Sequence, residues 1–278
     1  MFMENNENIL SRLHSVEIEI LKVVDAFCRK NDIKYSLYCG TMLGAVRHKG
    51  FIPWDDDIDL CMERQDYNRF IKLWIESNNQ DYILQNKDTD ADFTQSFTKI
   101  RKNNTCFLQR NEANKLYHKG IFVDILPLDR FPNNKLNQMF FKLDTMLYQL
   151  FTREFVPSKT SIAVATISNL MLKLFRGKSR KKIRSIFLKK MTKYQNHTNY
   201  PLVSANSMDG FNHIMPADMP QKMTEYLFEN ACFMGYSDYD GMLKSWYKDY
   251  MQLPPLEEQV WKHQPEIIDF EKNYKENI

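Results

Sequence analysis

The stretch that decides the fold is Tyr35-Ser-Leu-Tyr-Cys-Gly-Thr-Met-Leu-Gly-Ala-Val-Arg-His-Lys-Gly-Phe-Ile-Pro-Trp-Asp-Asp-Asp-Ile-Asp-Leu-Cys-Met62, where small residues, bases and a carboxylate cluster alternate with apolar runs. Tyr35 to Cys39 is short, aromatic-rich and followed by Gly40, so it reads as a strand that turns into a short helix, Met42 to Arg47. Gly40 and Thr41 then sit where backbone N–H groups at a helix start can meet a phosphate. After Pro53 come Trp54 and three consecutive aspartates, and Asp57-Ile-Asp-Leu60 alternates with the period of a half-buried strand. Asp57 and Asp59 thereby share a face, with Cα atoms about 6.6 Å apart, close enough for both to reach one cation. Two such anions among apolar neighbours repel, and a divalent ion removes the repulsion. Oxygen-only ligands favour Mg2+ or Mn2+ over zinc. This order of parts suits the handling of a nucleotide phosphate through a metal. Standing alone, Asp55–Asp57 would also suit a solvated acidic turn. An EF-hand loop fits poorly, because counting from Asp55 puts Leu60 where that loop needs glycine and Asp66 where it needs glutamate.

On the N-terminal side, Ile9, Leu13, Val16, Ile20, Val23 or Val24, and Phe27 recur at helical spacing, giving an amphipathic helix that ends near Asn31-Asp32. On the C-terminal side, Tyr67, Phe70, Ile71 and Trp74 stripe a second helix, Asp66 to Ser77. Tyr82–Leu84, Phe97–Arg101 and Thr105–Leu108 read as successive strands. Lys99 and Arg101 share a strand face and are candidates to hold a phosphate; a solvated face is the plain alternative. In Gly120 to Pro127, Asp124 is the one polar residue in a run apolar enough for a buried strand. A lone carboxylate there costs several kcal/mol unless a cation, a helix N-terminus or a strong donor meets it, which makes Asp124 the candidate third carboxylate. Its alternative role is a strand-end cap at Pro127, and Asp129 reads as such a cap.

Leu136–Phe155, Ser161–Phe175 and Arg176–Tyr194 read as three helices, the last strongly basic. Between Glu154 and Asp209 there are eleven Lys and Arg and no acidic residue, so the rest of a chain with net charge +3 carries −8. That asymmetry implies an anionic partner. No groove-reading motif and no aromatic-basic interleaving supports nucleic acid, whereas residues 159–194 suit peripheral contact with an anionic inner leaflet, or a solvated basic face. Met223–Phe228 and Ala231–Met234 read as short strands, and Ser237 with Asp240 as a variant capping box opening a helix with Leu243, Trp246 and Tyr247. Five scattered cysteines without knuckle spacing point to a reduced, cytoplasmic protein. The start is acidic and polar, unlike a signal peptide, and no apolar run reaches the ~20 residues of a membrane span.

Gly40 to Leu60 resembles the LicD family of phosphocholine transferases, relatives of the fukutin proteins within the nucleotidyltransferase-fold superfamily. Tyr247-Lys-Asp-Tyr-Met-Gln-Leu-Pro-Pro255, followed by His263, resembles that family's C-terminal signature. The resemblance covers residues 9–131 and 216–263. It implies an α/β fold whose mixed sheet carries the carboxylates; the helical pattern left unmatched between the two stretches reads as an all-helical insertion over 134–197, between a catalytic core over 1–133 and a C-terminal part, 198–278, that completes the site. It aligns Gly40 and Thr41 with the phosphate-side turn, Asp57 and Asp59 with the metal-binding pair, and Asp124 with a third carboxylate acting as ligand or base. Tyr247, Asp249 and His263 carry over as a substrate-side signature. The implied reaction moves phosphocholine or a similar phosphoalcohol from a cytidine diphosphate donor such as CDP-choline to a hydroxyl of a glycan, free or lipid-linked, such as a teichoic acid, lipopolysaccharide or capsule precursor, and releases CMP. Arg47, His48 and Lys49 would steady the donor phosphates, and Tyr38, Trp54, Trp246 and Tyr247 are candidates for a choline cage. Alternatives on the same parts are another nucleotidyltransferase, a metal-dependent glycosyltransferase, or a non-catalytic module binding divalent ions or anionic glycans.

Overall fold

The computed structural model describes residues 2–110, 112, 114–158 and 160–276, with side chains from Asn8 onward. Helix α1 (Phe2–Lys30) buries Leu10, Leu13, Ile20, Leu21 and Val24 in the core, the three- and four-residue spacing that places them on one face. Strand β1 (Ser36–Leu37) leads into α2 (Cys39–Arg47), β2 (Asp59–Glu63) and α3 (Arg64–Glu76), followed by β3 (Tyr82–Gln85), β4 (Thr98–Lys102), β5 (Cys106–Leu108) and β6 (Phe122–Arg130). Then come α4 (Lys135–Arg153), α5 (Ile162–Leu174), α6 (Lys178–Met191), β7 (Leu202–Ser204), β8 (Met223–Phe228), β9 (Ala231–Tyr236), α7 (Tyr239–Tyr247) and β10 (Ile267–Asp269).

The main sheet is mixed, in the order β1-β2-β6-β4-β3, with β7 added on β6. β6 is buried along its whole length and is the axis of the sheet. One edge pairs in parallel with β2; the other pairs antiparallel first with β4 and then with β7. The register sets Asp59 beside Asp124 and Asp124 beside Lys99, so three charged residues from β2, β6 and β4 form one row on one face. This is the mixed α/β sheet of a nucleotidyltransferase-like fold.

Several local expectations change. The turn into α2 is made by Cys39, which adopts a left-handed φ of 43°, and not by Gly40. β2 begins at Asp59, so Asp57 lies on the approach to the strand and not within it. β5 leaves the main sheet and pairs with β10, a strand the local pattern did not announce. The expected capping box does not form: α7 has no side-chain cap, and Asp240 accepts from Lys244 and Tyr250 instead. Asp129 is no turn cap either; it lies in β6 and takes both arms of the Arg64 guanidinium at 2.7 Å, a buried pair joining α3 to the sheet.

The hairpin β8–β9 reaches back to the first part of the chain. Tyr236 N–H donates to Ser36 Oγ at 3.0 Å, and the hairpin-turn residue Glu229 accepts from Phe51 N–H at 3.0 Å. Residues 135–194 hold α4, α5, α6 and a 3-10 turn, and α4 opens with an Asn134 cap on the Leu136 and Asn137 N–H groups. A second apolar cluster, including Phe131, Phe141, Met191 and Phe211, seats α4 and α6 at the far end of β6.

Candidate active site

Sequence spacing brings Asp55, Asp56, Asp57 and Asp59 onto one short segment, and the fold adds Asp124 from β6. Asp55, Asp56 and Asp124 are buried and Asp57 and Asp59 half-buried. Asp56 is fully committed: its carboxylate accepts His263 N–H at 2.8 Å and meets His263 Nδ1 at 3.1 Å, clamping the C-terminal segment onto the cluster. Asp124 is held by Lys99 Nζ, 2.6 and 2.8 Å from its two oxygens. Lys99 Nζ also lies 3.3 Å from the centroid of the Phe122 ring. Among the described residues, no hydrogen-bond donor meets the side chains of Asp55, Asp57 or Asp59, apart from His263 Nδ1 at 3.7 Å from Asp57.

That excess of negative charge appears in the titration of the groups. Burial, then the charges of Asp57 and Asp124, pushes the Asp59 carboxyl well above the usual carboxylate range. Burial and the Asp57 charge push Asp55 up to about 7. His263 moves the other way from a buried histidine: burial opposes its charge, but the Asp56 hydrogen bond and the charges of Asp57 and Asp56 outweigh it and raise its pKa.

Gly40 is required here by closeness. A Cβ at this position would lie 2.6 Å from Asp55 Oδ2, so the missing side chain lets the carboxylate reach the first turn of α2. Thr41, buried in that turn, uses its hydroxyl oxygen to accept Asp59 N–H at 2.8 Å, which pins the start of β2 to α2. The N–H groups at the start of α2 precede the helix's own hydrogen-bond ladder and remain suited to an anion.

A cavity of about 610 Å3 opens beside the cluster, lined by Gly40, Arg47, Trp54, Asp55, Tyr247, Asp249 and Lys262 among others. The loop after α7 forms its wall, because Arg47 Nη1 donates to the Tyr250 carbonyl at 2.7 Å and to that of Gln252 at 3.2 Å. Of the basic trio, Arg47 alone lines this cavity; His48 meets Arg47 Nε at 3.4 Å, and Lys49 is exposed with its carbonyl bound by Glu229 N–H. Trp54 and Tyr247 face the cavity, whereas Tyr38 is core and Trp246 stacks on His213 with centroids 3.6 Å apart. Neither strand cation presents itself to a phosphate: Lys99 is held by Asp124, and Arg101 is buried, donating to Gln85 Oε1 at 2.5 Å and the Gly120 carbonyl at 2.6 Å. Their shared face points into the protein, where each needed an internal partner.

Besides Asp55, four participants escaped the sequence reading. Among the described residues, the cluster able to place three ligand atoms within 4.8 Å of one another is Asp56, Asp57 and His263, which includes Asp56 and omits Asp59 and Asp124. Lys262 lines the cavity. His14 Nε2 is 2.8 Å from the Asp55 carbonyl oxygen, and its ring stacks on Phe51. Glu17 is buried at 1% exposure, its Oε2 has no hydrogen-bond partner, and burial followed by the charges of Asp57, Asp56, Asp55 and Asp124 raises its pKa well above the ordinary value. One signal for Glu17 was present, since it interrupts the apolar face of α1 between Leu13 and Ile20.

Residues 32–167 match the family described as LicD/FKTN/FKRP, nucleotidyltransferase domain. The chain is 30% identical over 251 residues to the lipopolysaccharide cholinephosphotransferase LicD of Haemophilus influenzae, covering 88% of this chain and 92% of that protein. Two uncharacterized proteins match over shorter stretches: RP689 of Rickettsia prowazekii, 29% identical over 119 residues, 42% of this chain and 40% of its own, and RT0683 of Rickettsia typhi, 30% identical over 118 residues, 42% and 36%. With the carboxylate row on the sheet, the family match over residues 32–167 and a near full-length relative, the chain belongs to the LicD family.

Proposed function

We propose that this protein transfers phosphocholine, or a similar phosphoalcohol, from a CDP-linked donor to a hydroxyl of a cell-surface glycan and releases CMP. The observation that carries the reading is the set of carboxylates left without donors beside the first turn of α2, next to a cavity that combines Arg47 and Lys262 with Trp54 and Tyr247. That the Haemophilus influenzae relative is named a lipopolysaccharide cholinephosphotransferase supports the substrate class.

Carboxylate oxygens are the donors a divalent cation takes, and Asp57 belongs to the cluster whose ligand atoms lie within 4.8 Å of one another among the described residues. Asp57 and Asp59 have unmet oxygens, and Asp124 keeps lone pairs beyond those used by Lys99. Bound there, Mg2+ or Mn2+ would neutralise diphosphate charge and favour departure of CMP. His263 is turned to Asp56 and acts as the clamp that fixes the cluster. Both Asp124 oxygens already accept from Lys99 Nζ, so we assign Asp124 to holding the carboxylate row and not to abstracting a proton. The start of α2 and Arg47 orient the donor phosphates, while the faces of Trp54 and Tyr247, with Asp249, receive a cationic head group.

The test is CMP release from CDP-choline in the presence of Mg2+, with a lipid-linked glycan or lipopolysaccharide fraction as acceptor. Wild type is expected to release CMP only when acceptor is present, and Asp57→Asn is expected to lower the rate at least about 100-fold. Pyrophosphate or a nucleoside diphosphate as product, or an unimpaired Asp57→Asn variant, would overturn the reading.

A further inference from the structure

Helix α5 has nine apolar residues among its thirteen, yet only Leu172 is buried. Ile162, Ile167, Leu170 and Leu174 are 86, 60, 56 and 67% exposed. A short helix of this composition gains its stability by burying its apolar surface, and the described residues cover almost none of it. The helix is nevertheless placed: Arg180 on α6 donates to the Leu172 carbonyl at 2.8 Å and pairs with Glu154 at the end of α4.

The charge beside it is of one sign. Arg184 and Lys181 of α6 are taken by Asp88. Lys173, Arg176, Lys178, Lys182 and Lys189 are exposed and make no ion pair among the described residues. Lys159, at the start of the basic segment, lies outside the described residues. No helix among the described residues is long and apolar enough to cross a membrane.

We infer that α5 and the basic positions flanking it form a docking surface for an anionic phospholipid bilayer, with α5 lying in the interface and the lysines and arginines over the headgroups. Exposed aliphatic side chains next to uncompensated cations match a surface that is apolar within and negative at its face. A second copy of the chain meets this description poorly, because a symmetric contact through α5 would set the basic segment against itself. The inference is independent of the phosphotransfer reading.

The experiment is co-sedimentation of the full chain with vesicles containing about 30% phosphatidylglycerol in phosphatidylcholine, against phosphatidylcholine alone, at about 0.1 M salt. The expected result is binding to the anionic vesicles at least about ten-fold tighter than to neutral ones. Each basic residue near an anionic surface is worth roughly five-fold, so Lys173→Ser/Lys178→Ser/Lys182→Ser should weaken partitioning by about 100-fold. Ile167→Glu/Leu170→Glu should abolish it while leaving circular dichroism unchanged, since both side chains are exposed. Equal binding to both vesicles, no binding to either, or wild-type binding by either variant overturns the inference. So does an analytical-ultracentrifugation dimer that Ile167→Glu/Leu170→Glu dissolves, which would make α5 a subunit interface.

Discussion

Replacing Lys99 by Met tests how the carboxylate row is held. The ammonium lies 2.6 and 2.8 Å from the two Asp124 oxygens, and the side chains of Lys99 and Asp124 are 11 and 9% exposed. Met keeps the length and apolar stem and removes the charge, stranding Asp124 next to Asp59 with no cation in contact. Breaking one side of a buried pair costs about 3–5 kcal/mol, because the remaining charge stays desolvated. With a urea m-value of about 3 kcal/mol/M, the midpoint should fall by more than about 1 M. Asp124→Asn in the Lys99→Met background removes the stranded charge and should recover most of the loss, leaving a double variant within about 2 kcal/mol of wild type. Mg2+ or Mn2+ should also raise the midpoint of Lys99→Met more than that of wild type, by binding where the ammonium was. A loss under about 1 kcal/mol, or a double variant no more stable than Lys99→Met, would show that the ion pair is not what holds the row.

The Asp56–His263 clamp should be pH-dependent. The raised His263 pKa gives stability that is full below the unfolded value near 6.5 and lost as pH rises through the folded value, while the lowered Asp56 pKa gives stability lost only in acid. His263 is a third exposed, so His263→Gln should cost roughly 1 kcal/mol at about pH 5.5 and less at about pH 8.5, and urea titrations at both pH values showing an equal cost would refute the assignment. Glu17→Gln removes a buried acid with an unpartnered oxygen and should stabilise the apo protein by about 1–3 kcal/mol at neutral pH; a destabilised variant would mean that the carboxyl has a partner in solution. Gly40→Ala should raise KM for the CDP-linked donor at least about ten-fold with little change in urea midpoint, because its Cβ would displace Asp55, and an unchanged KM would remove Asp55 from the donor side.

Much of the architecture follows from local pattern. The stripe on α1, the aromatic face of α3 and the unbroken apolar run around Asp124 each report a buried surface through their own periodicity, and each forms the element that periodicity predicts. Asp57, Asp59 and Asp124 could be singled out because charge in apolar text is costly wherever the chain goes. The reading that Lys99 and Arg101 share a face was also right, but their free ends found internal partners instead of phosphate.

What the sequence by itself determined is therefore most of the helices and strands of the core, and that Asp124, buried in an apolar strand, needed a partner. Tertiary structure alone decided which partner each group met: Lys99 for Asp124 across 25 residues, His263 for Asp56 across 207, β10 for β5, and Glu17 from α1 beneath the aspartates. Periodicity records only whether a side chain faces inward. The identity of the group opposite depends on strand register and on the return of distant chain, and those are fixed by packing of the whole core.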